Sequence, residues 1–218
     1  MHTIDIISDV SCPWCIIGYR ALHLALDELR AHDSFEISWL PFELNPGMPP
    51  EGQDRAEHIQ QKYGLTVEQG QANRQNLIDR GLSVGYEFKF PDNGRIYNTF
   101  NAHRLVHWAK EFDKQTELKL ALFDLFFQDA GNPSNEAELL ACVEKVGLNK
   151  SIAEQVLNSD QFTDDVRAQQ QLGQQQGISS VPAFIFDKKY LISGGQPKET
   201  FINAIKELTK ETAEQNVG

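Results

Sequence analysis

Two cysteines three positions apart, Cys12 and Cys15, are the residues of this 218-residue chain whose types and spacing best suit chemistry. Thiols at this spacing can close a disulfide with each other, and a thiolate can attack a disulfide elsewhere. Pro13 between them lacks an N–H group and suits the first position of a helix. Cys12 would then be the N-cap, where unpaired backbone N–H groups and the helix macrodipole favour a thiolate. The motif therefore predicts redox chemistry with Cys12 as a nucleophile.

A metal site and a static disulfide are the alternatives for this cysteine pair. Structural zinc needs four ligands, and Cys-x-x-Cys pairs that bind it normally occur as two knuckles. The chain has one such pair, its other thiol is Cys142, and none of its six histidines forms a close pair with a cysteine at knuckle spacing. Disulfides in the cytosol are usually transient, catalytic or sensing. We therefore predict no metal ligands and a redox-active pair.

Charge and hydropathy limit the classes of partner. The formal net charge is −11, whereas nucleic acids and anionic membranes attract basic surfaces. We therefore expect neither as a partner. The first residues show no basic segment followed by an apolar run, and nothing later approaches the length of a membrane span. On these grounds we expect a cytoplasmic location.

The elements that must position the thiols lie at both ends of the chain. Residues 3–7 form a short apolar run and residues 21–29 carry apolar side chains at helical spacing, so the thiols lie at a strand-to-helix junction. Residues 35–40 alternate apolar and polar side chains, which completes a βαβ unit. Near the other end, residues 183–186 and 190–193 flank a turn and predict a β-hairpin followed by a last helix.

The middle of the chain is predicted to be helical. A Pro- and Gly-rich loop at 45–52 precedes polar, short surface helices from about 54 to 75, with predicted breaks at Gly64 and Gly70. Asn98 is a predicted N-cap for an amphipathic helix whose apolar stripe leaves His103, Arg104 and His107 off it. A helix from Thr116 has almost no polar face and must be buried nearly all round. A later helix places Cys142 on an apolar face, as a small core residue; a role as a resolving or sensing thiol is the alternative.

Three segments resemble one known family. Residues 8–15 (Ser-Asp-Val-Ser-Cys-Pro-Trp-Cys), 98–104 (Asn-Thr-Phe-Asn-Ala-His-Arg) and 181–196, from Val181-Pro182 to Gln196, are similar to the cytoplasmic FrnE-type, DsbA-like oxidoreductases. The resemblance spans essentially the whole chain and implies an α/β, thioredoxin-like fold with a large helical insertion, as in DsbA. We expect the thioredoxin-like domain at 1–44 and 160–218 and the inserted helical domain at 45–159.

The resemblance also implies roles for individual residues. It makes Cys12 the attacking thiolate, Cys15 the resolving thiol, and Val181–Pro182 a cis-proline loop that holds an extended substrate beside the thiols. The predicted catalytic residues are therefore Cys12, Cys15 and Pro182, and the predicted substrate-binding residues are Pro13, Trp14, Val181, Asn98 and Arg104. Trp14 stands where DsbA has a histidine. Its indole either forms an apolar rim for substrates or packs against the helical domain.

The function predicted is thiol–disulfide exchange or isomerisation on unfolded or disulfide-bearing proteins, without a bound cofactor. The same fold branch contains glutathione transferases of the kappa class and hydroxychromene-carboxylate isomerases, which use glutathione and usually have serine at the first position. Cys12 and Cys15 together depart from that pattern. A protein of another class, a non-enzymatic module with a redox-sensing cysteine pair, is the further alternative. Glutathione could serve as reductant or co-substrate, and the choice between monomer and homodimer stays open.

Overall fold

A computed structural model describes the backbone of residues 1–49 and 51–215. Its elements follow one another as β1 (His2–Ser8), α1 (Pro13–Leu29), β2 (Phe35–Pro41), β3 (Gln53–Asp54), α2 (Arg55–Tyr63), α3 (Val67–Ser83), β4 (Arg95–Ile96), α4 (Phe100–Ala109), α5 (Gln115–Phe127), α6 (Glu136–Lys145), α7 (Lys150–Leu157), α8 (Thr163–Gln175), β5 (Ala183–Phe186), β6 (Tyr190–Ser193) and α9 (Lys198–Gln215). Within the described residues, no helix is both long and apolar enough to cross a membrane.

The sheet that carries the thiols has four strands in the order β2-β1-β5-β6. β1 and β2 are parallel, from His2 opposite Phe35 to Ser8 opposite Pro41, and α1 is the crossover between them. β5 runs antiparallel to β1, and β6 completes the hairpin. Ile6 and Ile7 of β1 point to opposite faces of the sheet and are 0% and 3% exposed, as a central strand covered on both sides requires. The predicted βαβ unit and C-terminal hairpin are confirmed, and they share one sheet.

Helices pack around this sheet and around one another. α1 packs against α9, α3 and α5, while β2 contacts α4, α5 and α8. One continuous apolar core includes residues from the sheet, from α1 and from the helices between β2 and β5. The division of the chain at residues 44 and 159 into two domains stays a prediction.

Three predicted helix boundaries are corrected by local hydrogen bonds. Gly70 does not interrupt α3, because Thr66 and Gln69 form a capping box that starts the helix just before it. The N-cap of α4 is Thr99; the predicted cap, Asn98, accepts a hydrogen bond from the Phe100 N–H at 2.9 Å. α5 begins one residue earlier than predicted, at Gln115, whose side chain accepts from the backbone N–H of Trp39 at 2.8 Å and donates to its carbonyl at 3.1 Å.

α5 is buried over most of its surface, as its composition predicts. Leu118, Leu122 and Phe123 are fully buried. The same helix also buries a charged side chain, Lys119, which is 1% exposed. In α4, His103 and Arg104 are 2% and 4% exposed, so their position off the apolar stripe does not bring them to the surface. These buried polar groups are the part of the interior that hydrophobic periodicity did not predict.

Candidate active site: a dithiol at the start of helix α1

Cys12 is the N-cap of α1, as predicted. Its backbone is extended, Pro13 occupies the first turn, and the carbonyl of Cys12 accepts a hydrogen bond from the Cys15 N–H at 3.1 Å. The Cys12 N–H donates to the carbonyl of Asp9 at 3.1 Å, which fixes the turn between β1 and α1. Both cysteines are free thiols in this structure, and they are 3% and 0% exposed. The thiols therefore lie at the positive end of the helix dipole.

The Val181–Pro182 loop lies beside the first thiol. The peptide bond is cis, and the Cys12 Sγ donates to the Val181 carbonyl at 3.7 Å. The Pro182 carbonyl in turn accepts a hydrogen bond from the Gly194 N–H at 2.8 Å, which ties the loop to the end of the hairpin. The cis geometry and the proximity to Cys12 are confirmed. A role for this loop in holding a substrate stays a prediction.

Trp14 and Pro13 are half-buried at the edge of the dithiol. A Cβ added to Gly195 would lie 3.0 Å from Cε3 of Trp14, so the indole packs tightly over the loop that precedes α9. This contact is with the part of the chain that carries the hairpin, whereas one predicted alternative was packing against the inserted helices. The half-exposed indole leaves an apolar rim next to Cys12.

Cys15 is held as a thiol by its surroundings. Burial raises its pKa well above the ordinary value, and the hydrogen bond and negative charge of Cys12 raise it further. The backbone N–H of Asp9 and the charge of Lys119 act in the opposite direction without offsetting the burial. Resolution by Cys15 therefore requires help to remove its proton.

Lys119 supplies a cation beneath the dithiol. Its Nζ donates to the Ser8 carbonyl at 3.4 Å and lies 5.3 Å and 5.5 Å from the ring centroids of Phe123 and Trp39. Burial lowers its pKa from 10.5 to about 8, against the raising effects of Asp9, Cys15 and Cys12. The ammonium group therefore lies within electrostatic range of both thiols, close to its own titration at neutral pH.

Asp9 is the buried acid of the same cluster. Its carboxylate accepts hydrogen bonds from the backbone N–H groups of Leu44 at 2.7 Å and Ser11 at 3.2 Å, and Nε2 of His103 lies 3.5 Å away. Burial opposes ionisation, but the hydrogen bond and charge of His103, with the Leu44 N–H, hold the pKa of Asp9 below its ordinary value. Asp9 is therefore a fixed anion, and Lys119 is the group of this pair that can exchange a proton near neutral pH.

Two predicted substrate-binding residues have structural contacts instead of a place beside the thiols. Asn98 accepts a hydrogen bond from the Phe100 N–H and donates one to the Pro46 carbonyl at 3.4 Å. No contact between Asn98 and the dithiol is found within the described residues. The side chain of Arg104 likewise bonds to backbone groups of other segments.

The guanidinium of Arg104 is committed to the backbone that joins α7 to α8. Nε donates to the carbonyl of Gln161 at 2.9 Å, Nη1 to Asn101 Oδ1 at 3.0 Å, and Nη2 to the carbonyls of Val156 and Ser159. The side chain is 4% exposed, and each of its three nitrogens donates a hydrogen bond within the protein. Arg104 therefore links α4 to the segment between α7 and α8, and its role in substrate binding stays a prediction.

Sequence reasoning missed Lys119 and assigned no role to Asp9. One signal could have found Lys119: it is the only basic residue between Gln115 and Phe127, in a helix otherwise composed mainly of apolar side chains. A charge in such a helix is almost never fully buried unless paired, and buried titratable groups cluster at functional sites.

We expect the buried lysine to give stability a distinct pH dependence. Folded Lys119 loses its proton near pH 8 and unfolded lysine near 10.5. The unfolded state therefore binds more protons between these values, and stability rises with pH in this window. Across this window the free energy of unfolding of the wild type should rise by on the order of 3 kcal/mol relative to that of Lys119→Met. The reason is that the buried lysine becomes neutral and the penalty for burying its charge is removed. Urea unfolding of both disulfide-closed proteins at pH about 7 and about 10 measures this difference.

In the disulfide form Cys15 does not titrate, and the other buried acids are common to both proteins, so the difference isolates Lys119. A constant difference across this pH range would show that Lys119 is not desolvated as its contacts indicate.

Cys142 has the environment of a core residue. It is 6% exposed, its Sγ donates to the Ala121 carbonyl at 3.7 Å, and burial raises its pKa to about 11. We expect Cys142→Ala to retain most exchange activity and to lose about 1 kcal/mol or less of stability, as a small volume change does. Activity assays with denaturant unfolding test this. Loss of turnover with an intact fold would instead assign Cys142 to the redox chemistry.

A cysteine pair at the start of the first helix of a βαβ unit, next to a cis-proline loop of the same sheet, is typical of the thioredoxin fold. Residues 3–206 match the family model of the DSBA-like thioredoxin domain, and the chain belongs to this family. The predicted fold, thioredoxin-like with helices inserted as in DsbA, is confirmed.

Three known proteins illustrate the similarity. An uncharacterized protein of Bacillus subtilis, YwbO, is 29% identical over 209 residues, which are 95% of this chain and 98% of that protein. The crystal structure of a "probable DsbA oxidoreductase" from Streptomyces coelicolor superposes with a TM-score of 0.91 at 30% identity, covering 97% of this chain and 91% of that one. A 2-hydroxychromene-2-carboxylate isomerase has a TM-score of 0.70 at 18% identity, with 98% of each chain covered. The fold alone therefore does not separate disulfide exchange from small-molecule isomerisation.

Proposed function

We propose that this protein catalyses thiol–disulfide exchange on protein disulfides, with Cys12 as nucleophile and Cys15 as resolving thiol. The observation that carries the proposal is the position of Cys12, at the helix N-terminus and 3.7 Å from the Val181 carbonyl, with Cys15 fully buried behind it. Cys12 is 3% exposed and lies beside the loop, whereas Cys15 is 0% exposed, so we expect a substrate to reach the first thiol and not the second. This asymmetry is what a two-step exchange requires.

In the reductive direction, the Cys12 thiolate attacks one sulfur of a substrate disulfide. A mixed disulfide forms, and the other substrate sulfur leaves as a thiolate that takes up a proton. Cys15 then loses its proton and attacks the Cys12 Sγ, which forms the Cys12–Cys15 disulfide and releases the second substrate thiolate. The substrate gains two electrons and two protons, and the protein dithiol supplies them. The same steps in reverse oxidise a substrate, and isomerisation ends with release by a substrate thiol.

Lys119 assists the second step in this proposal. Cys15 must become a thiolate at a position where burial disfavours the charge, and a buried ammonium group within electrostatic range offsets that cost. Asp9 keeps Lys119 in place beneath the thiols because its charge attracts the ammonium. Lys119 is therefore a positioning residue, which influences the reaction by stabilising the negative charge of the Cys15 thiolate.

The proposed substrate is an extended, apolar segment of another polypeptide chain. The Val181 backbone lies next to the nucleophile, so an extended chain could pair with it by backbone hydrogen bonds. Trp14 and Pro13 provide the apolar rim for neighbouring side chains. We propose the FrnE type within the family, on the three motifs named above, with a cytoplasmic location, no bound cofactor and glutathione as reductant.

Reduction of insulin disulfides by dithiothreitol tests the proposal directly. We expect catalysis by the wild type and no catalysis by protein whose cysteines have been alkylated in the reduced state. Equal rates for the two would remove the enzymatic function and favour a redox-sensing interaction module. Glutathione conjugation or isomerisation of small aromatic substrates, without insulin reduction, would assign the glutathione-dependent alternative.

A further inference from the structure

Two histidines and an aspartate converge on the surface at the far end of α1. Asp27 Oδ2 lies 3.1 Å from His23 Nδ1, and Asp27 Oδ1 lies 2.7 Å from His32 Nε2. One ligand atom from each residue can be chosen so that all three lie within 4.8 Å of one another. His23 and Asp27 are one helical turn apart on α1, and His32 follows the helix in the connection to β2.

The donor set suits a borderline transition metal. Imidazole nitrogen and carboxylate oxygen bind Zn²⁺ at about 2.0–2.2 Å, so two ligands of one ion lie at most about 4 Å apart. Both nitrogen–oxygen separations already meet this limit. The side chains are 37%, 53% and 41% exposed, so small rotations can bring the two nitrogens together and water can fill the remaining position. Mg²⁺ prefers oxygen ligands and is disfavoured here.

The charge environment also favours a cation. The last turn of α1 is Leu-Asp-Glu-Leu, at the negative end of the helix dipole, and its C-cap is Arg30. Glu28 of this turn already pairs with Lys198 at 2.7 Å, whereas Asp27 pairs with the two histidines. The formal net charge of the chain is −11. The hydrogen bond from His32, followed by the charge of His23, lowers the pKa of Asp27, so the carboxylate is available as an anion at neutral pH.

We propose that His23, Asp27 and His32 form a binding site for a divalent transition metal of the Zn²⁺ class, separate from the dithiol. An ion held there replaces two histidine–aspartate hydrogen bonds and links α1 to the segment that enters β2. The prediction of no metal ligands was based on the spacing of the cysteines, and none of these three ligands is a cysteine.

A matched pair elsewhere in the chain provides the control. His2 Nδ1 lies 2.6 Å from Asp187 Oδ2, so this pair has the same histidine–aspartate contact, and it does not belong to a three-ligand group within the described residues. Hydrogen bonding of histidine to aspartate alone would make the two locations equivalent for a metal ion. If binding of a metal ion instead requires chelation by three residues, only the site on α1 binds it.

Calorimetric titration of the full chain with Zn²⁺ tests the site, with the Cys12–Cys15 disulfide closed because thiolates themselves bind zinc. We expect one saturable site, and a loss of affinity of at least about tenfold in His32→Ala and in His23→Ala, since losing even an outer-shell partner costs this much. His2→Ala should bind as the wild type does. Zn²⁺ should also raise the unfolding temperature of the wild type and of His2→Ala but not of His32→Ala.

Three outcomes would overturn the proposal: no saturable Zn²⁺ binding, affinities unchanged in both His23→Ala and His32→Ala, or equal binding of Mg²⁺. Circular dichroism of each variant confirms that it is folded. If His32→Ala is not, His23→Ala, which changes an accessible helix position, decides the result.

Discussion

Cys12→Ser is expected to abolish thiol–disulfide exchange, and Cys15→Ser to accumulate mixed disulfides with substrates. Cys12 is the thiol beside the Val181 carbonyl, so its loss removes the attacking group. Cys15 is fully buried behind it, so its loss leaves the first step intact and blocks release. The insulin assay should fall to the uncatalysed rate for Cys12→Ser. Mass spectrometry of Cys15→Ser after incubation with a disulfide-bearing protein should show the covalent adduct.

The structure supplies matched controls for this asymmetry. Cys142→Ala removes the third thiol without touching the dithiol, and the double variant Cys12→Ser/Cys15→Ser should form no adduct. Adducts on Cys142, or turnover in Cys12→Ser, would show that the nucleophile has been misassigned. Adducts trapped on Cys15→Ser in cells would identify the physiological substrates and, by their location, test the cytoplasmic assignment.

The redox potential is expected to lie at roughly −150 to −250 mV, between DsbA near −120 mV and the cytosolic glutathione poise of about −220 to −260 mV by extraction. Trp14 provides no cation where DsbA places a histidine, so the Cys12 thiolate is less stabilised and the disulfide less oxidising. Equilibration in glutathione buffers of graded ratio, with alkylation and mass analysis, measures the potential. A value at or above that of DsbA would support an oxidase.

Lys119→Met should make the potential more negative. The ammonium interacts with both thiol groups in the reduced protein, and this attraction is lost when the disulfide forms. Removing it disfavours the reduced state, and a tenfold change in the equilibrium corresponds to about 30 mV. Lys114→Met is the control because the side chain of Lys114, at the N-cap of the same helix, is 42% exposed and pairs with Glu117 at 2.9 Å. Equal shifts in both variants would show a general charge effect instead of a local one.

The elements around the dithiol could be predicted because their determinants are local. Pro13 fixes the start of α1, alternation defines β2, and the hairpin follows from its turn residues. The cis bond before Pro182 came from family resemblance, since few X–Pro bonds are cis and the neighbouring residues do not decide between isomers.

The buried polar residues could not be predicted, because their partners are distant in sequence. Lys119 meets the Ser8 carbonyl across 111 positions, and Arg104 meets the Gln161 carbonyl across 57. Helical periodicity treats both as surface residues, and only the packing of the helices against β1 and α7 decides otherwise. The predicted N-cap of α4, Asn98, was wrong by one position, because asparagine and threonine can both cap a helix and the sequence does not choose between Asn98 and Thr99.

The central position of β1 has a consequence for how the active site arises during synthesis. β1 leaves the ribosome first, yet one of its two neighbours, β5, is made about 180 residues later, and the Val181 carbonyl that meets Cys12 lies 169 positions downstream. Because chains emerge from the N-terminus at about 5–20 residues per second, the thiols are translated well before the surface that surrounds them. A nascent chain stalled before β5 therefore carries Cys12 and Cys15 on an open strand edge, where other thiols and other chains can reach them. Until β5 and the Val181–Pro182 loop have been made, the two thiols therefore lack the surface that covers them in the folded protein.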